Sequence, residues 1–385
     1  MKTNEGCSCV EGLSRRKILK AGISAAAAVA MGQSAESFAE SQTERKAQTK
    51  QALRAAGTRA IDIHAHYYPQ TYLDAIAEDG KRFNATYRMT DKGFYTTTQA
   101  GNLGPLPVKI IDLKQRIAEM DDNGVAVQAV SLTTPMNYWG DADLSLKLAS
   151  VWNDGASAAH LAYPTRLVAF LTLPMLYPDH AIDELNRASK LPGMRGVYLG
   201  TNIEGRDLDD PLFEPIYARI EALDLPVFLH PLEPLGGNRT KAFYLSNLLG
   251  NPFETAVAAC HLIFGGVMDR YPKLRVNLPH GGGALPQLIG RIDHGWEVRP
   301  EIDHAKMPNP PSTYLQRFTY DTIVHSKPVM EFVIRQVGAE RVLVGSDYCF
   351  DMGYDRPLEF LEQIDMTSAQ RKMILGDNAA RLLKL

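Results

Sequence analysis

The sequence predicts an α/β protein built as a closed (β/α)8 barrel. Three observations lead there. Eight short apolar, β-branched runs follow one another from residue 59 onward, separated by stretches with helical periodicity. The turn after the first run, His64-Ala65-His66-Tyr67-Tyr68-Pro69, has no glycine, whereas an open doubly wound sheet ordinarily carries a glycine-rich phosphate turn there. Several of the runs end in a histidine or an aspartate, which is where a barrel gathers its functional groups.

In chain order, residues 1–39 read as an address. Ser14-Arg15-Arg16-Lys17 holds a twin-arginine pair, and residues 21–31 are apolar but too short to span a bilayer. Ser37-Phe38-Ala39 is a small-residue cleavage site. A twin-arginine signal implies the matching export machinery as a partner and a periplasmic or other extracytoplasmic location. Residues 40–57 are polar and read as a linker, and the barrel occupies 58–385. No later segment is apolar for long enough to insert stably in a membrane.

The composition, 45% hydrophobic and 22% charged over 385 residues, suits a large buried core. A net charge of -3 gives no electrostatic footing for nucleic acid. Cys7 and Cys9 fall in the signal, and Cys260 and Cys349 read as small core residues rather than a disulfide.

The predicted strands are 60–64, 126–132, 167–173, 196–199, 227–230, 275–278, 318–322 and 342–346. Helical spacing marks 113–122, 144–162, 213–223 and 253–269. Alternating strands and helices imply a parallel sheet. The stretch from about 67 to 110 is too long for an ordinary connection and reads as a small insertion over the barrel mouth, holding Phe83, Tyr87, Phe94 and Tyr95.

His64 and His66 lie two apart on the first strand, so both side chains share one face. Two imidazoles aimed alike can chelate a divalent ion. His230 ends strand five, His280 ends strand six and Asp347 ends strand eight. Barrel geometry brings these ends together. His64, His66 and His230 supply nitrogen ligands and Asp347 an anionic oxygen. One position then stays open for water or substrate. His280 is either the proton carrier or a further ligand. His160, His261 and His294 lie on helical stretches and read as ordinary, and His180 and His304 sit among loop residues. His325 follows strand seven and reads as ordinary, and Glu254 as an acid complementing a helix N-terminus.

These stretches resemble the amidohydrolase-related metal-dependent decarboxylases, in particular the aminocarboxymuconate-semialdehyde decarboxylase branch. The matching motifs include Asp62-Ile63-His64-Ala65-His66, Arg116-Ile117-Ala118-Glu119-Met120-Asp121, Asn251-Pro252-Phe253-Glu254-Thr255 and Gly376-Asp377-Asn378-Ala379. The most specific is His280-Gly281-Gly282-Gly283, continuing to Arg291. The resemblance implies one divalent metal, zinc, on His64, His66, His230 and Asp347, with His280 and Asp347 catalytic. It also implies a homodimer in which Arg291 reaches the neighbouring subunit's site. The family's substrate-binding arginine before the helix near Asp112 is missing. Lys109 lies near that position, but an ammonium lacks the fork that grips a carboxylate.

The expected activity is nonoxidative decarboxylation of a small unsaturated or aromatic carboxylic acid. The alternative is metal-dependent hydrolysis of an amide, ester or lactone on the same scaffold, with Asp347 or His280 as base. A non-enzymatic metal- or ligand-binding protein is a third class, and it would be expected to have lost one or more ligands.

Overall fold

The structure is a computed structural model that describes residues 59–385. The export signal, its cleavage site and the linker lie outside the described residues.

Eight strands form the barrel: β1 Ala60–His66, β2 Val125–Ser131, β3 Leu167–Leu171, β4 Met194–Gly200, β5 Pro226–His230, β6 Arg275–Leu278, β7 Phe318–Asp321 and β8 Val342–Leu343. Their order in the sheet is their order in the chain, and the paired neighbours run parallel. The sheet closes on itself through Ile63 N–H to the Val344 carbonyl at 2.9 Å and His66 N–H to the Tyr348 carbonyl at 2.7 Å. Every residue of β1, β3 and β5 is buried. A strand covered on both faces needs an apolar run with few exceptions. The polar exceptions, Asp62, His64, His66 and His230, are therefore the informative residues.

The main helices around the sheet are α1 Gln70–Glu78, α2 Leu113–Asn123, α3 Ala142–Ala162, α4 Pro178–Ala188, α5 Glu214–Ala222, α6 Asn251–Phe264, α7 Leu285–Val298 and α8 Lys327–Val337. Their starts follow local chemistry. The Asp112 side chain accepts from the Lys114 and Gln115 amides, and Asp141 caps α3 at the Leu144 amide. Gly124, with φ at 74°, ends α2 in the left-handed region.

The structure corrects two readings. The periodic stretch 253–269 is not one helix: α6 ends at Phe264 and a separate turn spans Val267–Arg270. Gly266 sits between them with φ at 72°, a conformation that breaks a helix. His180 belongs to α4 and not to a loop, because Pro178 opens that helix where its missing N–H costs nothing.

The segment after β1 contains α1 and a three-stranded antiparallel sheet, Thr86–Thr90, Gly93–Thr98 and Gly101–Leu106. Phe94 is fully buried there, between Tyr68 at 5.8 Å and Tyr87 at 5.9 Å between ring centres.

Candidate metal centre

The end of β1, the end of β5 and the bend after β8 deliver four side chains to one place. His64, His66, His230 and Asp347 are all buried, and each offers a ligand atom within 4.8 Å of the others. The three imidazoles meet edge to face, with ring centres 5.1, 5.3 and 4.8 Å apart. His64 Nε2, His66 Nε2 and Asp347 Oδ1 are buried and have no hydrogen-bond partner. His66 Nε2 is 3.0 Å from Asp347 Oδ1, and His64 Nε2 is 3.5 Å from it, yet neither pair is aligned as a hydrogen bond. Buried polar atoms left this way are costly unless something else satisfies them. Three nitrogen donors and a carboxylate around a common point fit one divalent ion.

The far sides of the rings are held. His64 Nδ1 is 2.7 Å from Asp321 Oδ2, and His66 Nδ1 is 3.2 Å from the Ser131 hydroxyl. His230 Nδ1 is 3.2 Å from the Pro231 carbonyl oxygen. Each contact leaves Nε2 facing the centre, the arrangement that orients a metal ligand. Phe228 and Tyr198 pack against the rings from below, Phe228 at 4.9 Å from His64 and Tyr198 at 5.8 Å from His230.

Electrostatics match that use. Burial holds His230 well below its ordinary pKa, and burial lowers His66 too, so both are neutral donors. Burial acts the same way on His64, but the carboxylates of Asp347 and Asp321 outweigh it and raise its pKa. Burial would raise Asp347, yet His64, His280 and His66 around it hold it well below the carboxylate range. Asp62, just behind His64, is pushed up to about 6 by burial, against the hydrogen bonds it accepts from Ser346, His64 and Gln128.

His280 is not one of the four, although its ring centre lies 5.3 Å from that of His64 and 5.9 Å from that of His230. Its Nε2 lies 3.8 Å from Asp347 Oδ2, the oxygen turned away from the β1 histidines. A cavity of about 240 Å³ opens beside it, lined by His280, Asp347, Gly281, Gly283 and Gln287 together with side chains from the loops after β5, β7 and β8. His325 also lines this cavity, but its Nε2 is spent on the Met352 carbonyl at 2.7 Å. Among the described residues, no lysine or arginine lines it. Lys109 is instead 3.4 Å from Glu119 and 5.1 Å from the centre of the Tyr348 ring. Arg291 is exposed on α7. Glu254 lies in the first turn of α6, as expected, and is also buried and accepts from the Asn202 amide at 3.0 Å. Cys260 and Cys349 are free thiols.

Asp321, Ser131, Gln128 and Arg116 were not singled out as site residues by the sequence. The usable signal was an acid ending the apolar run of β7, where Asp321 is fully buried.

Comparison with known proteins agrees with this geometry. A family model described as amidohydrolase matches residues 61–385. The chain is 36% identical to 2-amino-3-carboxymuconate-6-semialdehyde decarboxylase of Dictyostelium discoideum, over 84% of this chain and 91% of that protein. It is 30% identical to a gamma-resorcylate decarboxylase of a Rhizobium species, over 72% and 89% of the two chains. The crystal structure of 5-carboxyvanillate decarboxylase from Sphingomonas paucimobilis matches with a TM-score of 0.74 and 26% identity, over 85% and 99%.

Proposed function

The chain belongs to the amidohydrolase family, and from that premise we propose that it is a metal-dependent nonoxidative decarboxylase of a small unsaturated or aromatic carboxylic acid. The observation that carries this is the placement of His280: 3.8 Å from Asp347 Oδ2, packed against the His64 and His230 rings, and at the wall of a cavity. The relatives named above, all decarboxylases, support the same reading.

His64, His66, His230 and Asp347 Oδ1 would hold the ion, and we assign zinc to this donor set. When bound, it would supply Lewis-acid polarisation of a substrate oxygen. The substrate lies in the cavity with its carboxyl-bearing carbon toward His280. The bond from that carbon to the carboxylate breaks, carbon dioxide leaves, and the electron pair stays on the carbon. His280, backed by Asp347, delivers a proton to the same carbon and takes another from solvent through the cavity.

The test is carbon dioxide release by the metal-loaded protein across a panel of hydroxybenzoic and unsaturated acids, run in deuterium oxide. Product carrying one deuterium at the carbon that lost its carboxylate is expected. Cleavage of amides, esters or lactones with no carbon dioxide from any acid would replace this function with hydrolysis.

Two further assignments belong to this reading. Arg15-Arg16 directs export to the periplasm, so replacing both with lysine should trap the protein in the cytoplasm, and unchanged periplasmic recovery would refute it. The enzyme works as a homodimer in which the exposed Arg291 reaches across to hold the partner site's substrate carboxylate.

A further inference from the structure

β1, which carries His64 and His66, and β8, which leads into the bend that carries Asp347, also close the barrel, and their regular pairing is thin. β8 has two regular residues. Beyond it the seam has two isolated bridges, Asp62 to Val344 and Ala65 to Tyr348, and the Ser346 and Asp347 N–H groups donate to the His64 carbonyl at 3.3 and 2.7 Å. His64 and His66 stand on one side of this seam and Asp347 on the other. A slip of one residue along it would turn the ligands to the wrong face.

A buried polar chain crosses the seam behind the ligands. Asp62 accepts the His64 N–H at 3.1 Å, the Ser346 N–H at 3.0 Å, the Ser346 hydroxyl, and the Gln128 amide at 2.9 Å. Gln128 in turn accepts from Arg116 Nη1 at 3.0 Å. The other terminal nitrogen of Arg116 donates to the His66 carbonyl, and its guanidinium lies 4.4 Å from the centre of the Tyr348 ring. Asp62 and Arg116 are fully buried, and Gln128 and Ser346 are nearly so. The ends fix the direction of this chain. An arginine only donates and a carboxylate only accepts, so one orientation of the Gln128 amide satisfies both. Asp62, Ser346 and Arg116 each bond the backbone of a β1 histidine, Gln128 links Asp62 to Arg116, and none of the four bonds a ligand atom.

We infer that Arg116, Gln128, Asp62 and Ser346 are positioning residues that set the register of β1 against β8, and so the spacing between the β1 histidines and Asp347. The inference rests on those residues binding the metal and not on the reaction that follows.

Gln128→Met keeps the volume and breaks the chain at its middle. Ser346→Ala removes one hydroxyl at its end. Ser157→Ala is the control, since that hydroxyl bonds the Pro192 carbonyl away from the seam. For each variant, zinc affinity is measured by chelator competition and the melting temperature on metal-free protein. Gln128→Met and Ser346→Ala should weaken zinc binding by about ten- to a hundredfold, the usual cost of losing support behind a ligand. Ser157→Ala should lower the melting temperature with zinc affinity unchanged. Wild-type zinc affinity in a folded Gln128→Met, or in Ser346→Ala if Gln128→Met does not fold, overturns the inference. Failure of the unmodified protein to bind zinc or manganese would instead overturn the ligand assignment.

Discussion

Asp347 divides its work between two oxygens. Oδ1 faces His66 and His64, and Oδ2 faces His280. Its backbone is left-handed, with φ at 57°, as is that of His280 at 54°. Such φ values are unfavourable for residues with a Cβ and gather where a site needs a side chain aimed off the regular path. That separation predicts the behaviour of His280→Ala. The four ligands remain, so metal content by elemental analysis should stay near that of the parent. Turnover should fall by at least about a hundredfold, the scale of general acid–base catalysis. Loss of metal along with activity would make His280 a ligand, and a metal-loaded variant with near-normal turnover would leave it no catalytic role. The four clustered side chains were legible in the sequence because each is a polar residue at or just past the end of an apolar run. Asp62 was not, since one acid inside Ile61-Asp62-Ile63 reads equally well as a strand's outward face. Only the closed barrel shows that both faces of β1 are covered.

The loop after β6 shows what an element adds to its residues. His280, Gly281, Gly282 and Gly283 are four consecutive residues with positive φ. A Cβ on Gly283 would run into the carbonyl oxygen of Pro252, at the start of α6. One on Gly281 would meet Val324 in the loop after β7. The loop therefore packs its backbone against two neighbours while lining the cavity. Gly283→Ala should destabilise the protein by at least about 1–3 kcal/mol, the cost of holding an ordinary residue in a strained conformation, with the clash at Pro252 added to it. It should also lower kcat by displacing His280. Calorimetry and steady-state kinetics on the same preparation check both, and an unchanged melting temperature with unchanged kcat would show that the loop has slack. The glycine run was visible in the sequence, but its close approach to Pro252 was not. The strand runs were legible to within a few residues because β-branched periodicity reports burial directly. β8 was the exception: the predicted run 342–346 holds regular pairing only at Val342–Leu343. Four residues on, the chain is turned left-handed at Asp347.

At the scale of the whole molecule, the described residues bring together a metal-ligand cluster, His280 and a cavity, but place no lysine or arginine in the cavity lining. Lys109 is engaged by Glu119, and Arg116 is committed behind the ligands. Arg291 is exposed and has no partner among the described residues. A homodimer that lends Arg291 to the partner's cavity would complete each site, and this makes a quantitative prediction about mixed dimers. Arg291→Ala and His280→Ala should each be nearly inactive alone. In a mixed dimer, the site with an intact His280 receives its arginine from the His280→Ala subunit and regains both groups. Random reassociation of equal amounts makes half the dimers mixed, each with one complete site. Activity should therefore recover to about a quarter of the parent's, as a two-fold interface shared between identical subunits requires. The recovery should depend on dissociating and reassociating the subunits, which separates it from simple contamination. Mixed samples shown by mass spectrometry to contain heterodimers, yet no more active than their parents, would place Arg291 outside the neighbour's site and leave substrate binding to the neutral groups of the cavity.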